Sequence, residues 1–134
     1  MLIGFEHVGM TCSNLDRTIA FYCDLLGLKL VLRKAQNNGG EVAFLDAGGG
    51  MLEISAPAET PSLARLVPNQ EAGIRHITFA FDDIEKTYAD LLAADVKFIE
   101  KPRMAFNSEI LRKVAFCLDP DGIVIELSER SAPR

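Results

Sequence analysis

The chain contains no run of basic residues: its 14 Lys and Arg are scattered among 19 Asp and Glu, for a formal charge of −5. That absence removes the electrostatic footprint needed for nucleic acid or an anionic membrane, and leaves small molecules as the expected partners. No stretch reaches the roughly 18 apolar residues of a membrane span, and MLIGFEHVGM lacks a basic segment followed by an apolar one. A cytoplasmic location is expected. The three cysteines, Cys12, Cys23 and Cys117, form no CxxC pair and are odd in number, which argues against a disulfide framework and for reduced, packed thiols. Histidine is scarcer still, with only His7 and His76.

What the chain does have is a repeat. His7 to Thr18, HVGMTCSNLDRT, aligns without a gap on His76 to Thr87, HITFAFDDIEKT, and VAFLDAGGGMLEIS at 42–55 matches VAFCLDPDGIVIELS at 114–128. With 134 residues, 49% of them hydrophobic, the chain has the size of one domain, 1–134, built from module one (1–69) and module two (70–134). Each module reads strand, helix, strand, strand, strand, because apolar residues alternate by twos on either side of one helical segment. Helices are expected near 15–26 and 84–94, opened by Ser13 with Asp16 and by Asp82 with Glu85. Thr60-Pro61 is expected to start a short helical turn through SLARLV at the join. Asn37-Asn38-Gly39-Gly40, Gly48-Gly49-Gly50 and Asp119-Pro120-Asp121-Gly122 carry turn chemistry. The segment from Arg103 to Arg112 reads as a loop or hairpin tip.

Strand alternation places His7, Gly9 and Thr11 on one face and Val8 and Met10 on the other. The same parity groups His76, Thr78 and Ala80 opposite Ile77, Phe79 and Phe81, sets Glu53 opposite Leu52 and Ile54, and sets Glu126 opposite Ile125 and Leu127. The bulky faces belong under the helices. The opposite face then carries two histidines and two carboxylates, and the repeat makes His7 equivalent to His76 and Glu53 to Glu126. If a pseudo-twofold relates the modules, the four converge on its axis. Two neutral imidazoles and two carboxylates balance a divalent cation, which offsets the cost of burying isolated carboxylates. Such mixed N and O ligands suit zinc, nickel, cobalt or manganese, and four protein ligands leave positions for substrate oxygens.

The stretches HVGMTCSNLDRTIAFYCDLLGLKL, MLEIS, GIRHITFAFDDIEKTYADLL and LDPDGIVIEL, which span almost the whole chain, resemble the vicinal oxygen chelate superfamily, the glyoxalase I and bleomycin-resistance fold. The resemblance implies an α+β fold in which two tandem βαβββ modules form a curved, partly open eight-stranded barrel around a metal, usually in a homodimer. It carries the glyoxalase I ligands onto His7, Glu53, His76 and Glu126, with nickel or cobalt favoured and zinc possible. It also implies a metal-dependent lyase or isomerase of the lactoylglutathione lyase type, which moves a proton beside a carbonyl by way of a metal-held enediolate. Glu126 is then the expected base and Glu53 a second proton carrier. Where glyoxalase I carries the Arg and Asn that grip glutathione, this chain has Thr11 and Pro57, so the thiol is left open. The alternatives are a methylmalonyl-CoA epimerase-like isomerase and a protein that sequesters a small molecule. An extradiol dioxygenase needs a further histidine, which this chain lacks, and Glu53 speaks against a fosfomycin-resistance protein.

Overall fold

The computed structural model describes all residues, 1–134. The chain divides into two compact units, Met1–Leu63 and Ala64–Arg134. The division precedes the Pro68-Asn69 punctuation because Ala64 already belongs to the second unit, its N–H donating to the Asp121 carbonyl at 3.0 Å.

The first unit runs β1 (His7–Thr11), α1 (Leu15–Ile19), a π-helical continuation (Ala20–Leu25), β2 (Lys29–Ala35), β3 (Glu41–Asp46) and β4 (Met51–Ala56). Its four strands form one mixed sheet in the order β1-β4-β3-β2. β1 lies parallel to β4, with His7 opposite Met51 and Gly9 opposite Glu53. The first and last strands of the module are thus neighbours, although more than 40 residues of sequence separate His7 from Glu53. The core packs the helix against the apolar face of β3 and β4: Leu15, Phe21 and Tyr22 from the helix, Leu45, Leu52 and Ile54 from the sheet, all buried.

The second unit repeats the order as β5 (Ile77–Ala80), α2 (Ile84–Ala93), β6 (Phe98–Met104), β7 (Leu111–Leu118) and β8 (Val124–Arg130). Its sheet order is β5-β8-β7-β6, with β5 parallel to β8 and Thr78 opposite Glu126. Ile84 and Leu91 of α2 and, on the sheet face beneath them, Ala115, Cys117, Ile125 and Leu127 form its buried core. The eight expected strands are therefore present in an α+β fold of two four-stranded sheets, without a closed barrel.

Two local expectations are corrected. The helix caps sit one residue later than read: Asn14 accepts from Arg17 N–H at 3.0 Å and Asp83 from Lys86 N–H at 2.9 Å. A cap side chain must reach the N–H three residues on, and Ser13 is instead taken by the Arg17 guanidinium at 2.8 Å. The segment after Thr60-Pro61 is irregular, not helical. Its two leucines, Leu63 and Leu66, are exposed, and so short a turn does not hold on propensity alone. The Arg103–Arg112 segment is a hairpin tip as expected, residues 105–110 joining the end of β6 to the start of β7.

Candidate metal centre

The four polar residues singled out from the sequence sit where strand parity places them, but the two units treat them differently. In the second unit, His76 Nε2 lies 2.9 Å from Glu126 Oε2. The same carboxylate oxygen accepts the Thr78 hydroxyl at 2.6 Å. Glu126 is buried, its side chain 9% exposed, with His76, Thr78 and Phe116 around it. The His76 ring stands edge-on to Phe116, centroids 5.5 Å apart, and Phe116 is also the cross-strand partner of Glu126.

The first unit repeats this frame with looser contacts. His7 stands edge-on to Phe44 at 5.8 Å, and Phe44 is the cross-strand partner of Glu53. The His7 Nδ1 is hydrogen-bonded to Glu6. That bond holds the imidazole above its ordinary pKa, against a lowering by partial burial, with the charges of Glu6 and Glu53 adding to the rise. Opposite Glu53 there is no hydroxyl but Gly9, and a Cβ built there would lie 3.9 Å from Glu53 Oε1. Each unit by itself supplies one imidazole and one carboxylate, and neither gathers three or more metal-capable side chains.

The donor chemistry fits a divalent cation. In the second unit an imidazole nitrogen and a carboxylate oxygen already face one another at 2.9 Å, donors of the kind that would hold a divalent ion. His7 must give up its bond to Glu6, or offer its other nitrogen, before it can ligate in the neutral form. Sequence reasoning missed Phe44, Phe116 and Thr78. The two phenylalanines were legible in principle, because both stand third in the repeated VAF at 42–44 and 114–116.

A βαβββ module whose first and last strands present one His and one Glu on a shared face, made twice in one chain, is the arrangement that decides the family. Residues 4–127 match the Glyoxalase/Bleomycin resistance protein/Dioxygenase superfamily. The chain belongs to this superfamily. Among curated proteins, this glyoxalase-superfamily chain is 31% identical over 132 residues to the uncharacterized protein YaeR of Escherichia coli K12, covering 93% of this chain and 95% of YaeR. It is 30% identical over 129 residues to a probable lactoylglutathione lyase of Synechocystis, covering 96% of both. Among solved structures, SMU.1112c superposes with a TM-score of 0.80 at 25% identity, over 96% of this chain and 100% of that one. The superfamily includes enzymes such as lactoylglutathione lyase, and its members are commonly metal-dependent. No helix of the structure is long and apolar enough to cross a membrane.

Proposed function

We propose that this protein is a metal-dependent lyase or isomerase of the glyoxalase I type, which moves a proton on the carbon beside a substrate carbonyl. The proposed ligands are His7, Glu53, His76 and Glu126, one His–Glu pair from each module, drawn from one chain or from two. The observation that carries this reading is the approach of His76 Nε2 to Glu126 Oε2 at 2.9 Å on a face that the first module repeats. Two imidazoles and two carboxylates with no thiolate suit zinc, nickel, cobalt or manganese, and the resemblance to glyoxalase I favours nickel or cobalt among them. When bound, the ion supplies Lewis acidity toward a carbonyl oxygen.

The chain's own residues do the rest. The imidazoles orient edge-on to Phe44 and Phe116, which are also the cross-strand partners of Glu53 and Glu126. One carboxylate, Glu126 or Glu53, takes the proton from carbon and returns it to the neighbouring carbon, as a base within hydrogen-bond reach of that proton can. Thr11 and Pro57 favour a thiol other than glutathione, or an acyl thioester, and for that reason a methylmalonyl-CoA epimerase-like reaction stands as the second reading. A homodimer is proposed as the working state. Leu30, Val31 and Leu32 of the edge strand β2, and Met104, Phe106 and Ile110 around the β6–β7 tip, are all exposed, and apolar surface on this scale commonly marks association.

Protein purified without chelator should carry a stoichiometric divalent ion by elemental analysis, and His7→Ala and His76→Ala should each lose it. Isomerisation of thiol hemithioacetals against epimerisation of CoA thioesters separates the two enzymatic readings. Metal retained in both histidine variants would end the four-ligand assignment.

A further inference from the structure

The face of the first sheet that carries His7 and Glu53 continues past them to the β2–β3 hairpin. Cross-strand pairing sets Thr11 beside Ser55, Ser55 beside Val42 and Val42 beside Lys34, a single row across the sheet. The neighbouring row is Gly9, Glu53, Phe44 and Leu32. Paired residues share a face, and so do residues two apart on a strand, which puts Lys34 on the face of Glu53. Two strand spacings and two residues separate them, roughly 12 Å. At that end of the sheet Lys34, Ala35, Gln36, Asn37, Asn38 and Val42 line a cleft of about 420 Å³. From this placement we infer that the cleft is the subsite for a carboxylate at the far end of the substrate from its reacting carbonyl, with Lys34 as the cation that receives it. Assigning that carboxylate to the substrate rests on the metal-dependent reading above.

The hairpin is built to present donors. Lys34 is exposed, and Glu41 at the start of β3 is taken on the opposite face by Arg33, at 3.1 Å, with Asp16 on the same guanidinium at 2.7 Å. The Lys34 ammonium is left for an anion from outside. The backbone of the tip closes on itself: Gln36 N–H donates to the Gly40 carbonyl at 2.8 Å and Gly39 N–H to the Gln36 carbonyl at 3.2 Å. Asn38 Oδ1 accepts the Gly40 N–H at 3.1 Å, so Asn38 uses its carboxamide oxygen within the turn and keeps its two N–H donors. One ammonium matches one negative charge, and carboxamide donors complete the bonding of a carboxylate. A nucleotide pyrophosphate brings more charge than this cleft meets. At roughly 12 Å from Glu53, the carboxylate belongs not to the reacting carbons but to the arm that carries them.

Metal-free, ¹⁵N-labelled full-length chain titrated with acetylglycine should shift the amide signals of Gln36, Asn37, Asn38 and Val42 together. Acetylglycinamide, which lacks the charge, should leave them in place. Lys34→Met removes the charge and should weaken acetylglycine binding by about 10-fold, the loss of one charge-assisted contact, whereas Lys34→Arg should stay within a few-fold of wild type. Lys86→Met makes the same charge change at a lysine paired with Asp90 on α2, and should match wild type. With substrates whose carrier arm ends in a carboxylate, Lys34→Met should raise KM by about 10-fold at nearly constant kcat, as for a contact made equally in ground and transition states; the matching amide-ended substrate should not distinguish the two proteins. Equal acetylglycine binding by Lys34→Met and wild type overturns the subsite, as do shifts confined to other parts of the chain or tighter binding of inorganic phosphate. Wild-type protein that shows the expected shifts yet takes up no Co²⁺ sinks the metal-dependent reading alone and leaves the cleft a carboxylate site.

Discussion

Glu129 lies three residues beyond Glu126 on β8 but on the opposite face, with Ile125 and Leu127, where the strand meets α2. It is 5% exposed, and each of its carboxylate oxygens has a partner. One accepts the Ile84 N–H at 2.7 Å, which is the first residue of α2, and the other is bonded to the Arg112 guanidinium. The sequence pattern LSER gives no hint of this, yet Glu129 ties the helix start to the strand that carries the site. Replacing it with Ala removes a hydrogen bond to a charged acceptor worth about 1.5–3 kcal/mol, and leaves a buried helix N–H unpaired. Loss of a carboxylate at a helix N-terminus adds about 0.3–1 kcal/mol. The Arg112 side chain is 52% exposed, so its share is at most about 1 kcal/mol after solvent screening.

The expected cost of Glu129→Ala is therefore about 3 kcal/mol, or a Tm lowered by about 10 °C for a chain of this size. Glu129→Gln, whose amide oxygen can still accept from Ile84, should lose only about 1–2 kcal/mol. Arg112→Ala should lose no more than about 1 kcal/mol. Urea unfolding followed by far-ultraviolet circular dichroism reads all three. If Arg112→Ala costs as much as Glu129→Ala, the ion pair and not the helix anchor dominates, and the reasoning fails. If Glu129→Ala is within about 0.5 kcal/mol of wild type, as for an ordinary surface change, the bond to Ile84 contributes nothing and the anchor is refuted.

Three further outcomes follow from the packing. Leu45 is fully buried at the centre of the first sheet, so Leu45→Ala should cost about 3–5 kcal/mol in the same urea experiment. A Cβ on Gly40 would lie 2.4 Å from the Ala56 carbonyl oxygen, a backbone atom that cannot swing away, so Gly40→Ala should destabilise by at least about 1–3 kcal/mol; Gly49→Ala, with nothing near its Cβ, should sit close to wild type. Burial, with Asp119 nearby, pushes the Cys117 thiol up to about 12, and Cys12 is also buried. Because the thiolate is the reactive form, a disulfide-exchange reagent at pH 8 should titrate at most Cys23 in native protein and all three thiols once it is unfolded; native labelling at Cys117 would contradict the packing.

The sequence revealed much of this fold because its informative residues repeat. Periods of two along HVGMT and HITFA, helical runs after Asn14 and Asp83, and the Asp119-Pro120-Asp121-Gly122 turn are local signals. Local chemistry settles them, and the structure has the elements within a residue or two of where they were read. The short helix after Pro61 was misread for the complementary reason: Pro at a first turn and a Leu-rich run are helix signals only if something covers the apolar side, and Leu63 at 75% exposure has no cover. The difference between Glu126, buried, and Glu53, half-buried, was equally hidden, since both stand on inner strands and only strand register sets Thr78 opposite one and Gly9 opposite the other.

A repeat alignment rewards matches, and that is why it found His7 with His76 and Glu53 with Glu126 while passing over what distinguishes them. Gly9 against Thr78 enters such an alignment as one mismatch among many. It gains meaning only once the parallel registers Gly9–Glu53 and Thr78–Glu126 are known, because only then does a hydroxyl at that position stand within 2.6 Å of the carboxylate. In the second unit the carboxylate therefore has a hydroxyl donor on the neighbouring strand, whereas the first unit has only Gly9 opposite Glu53. A difference of this kind lies in strand register and not in any single stretch of sequence.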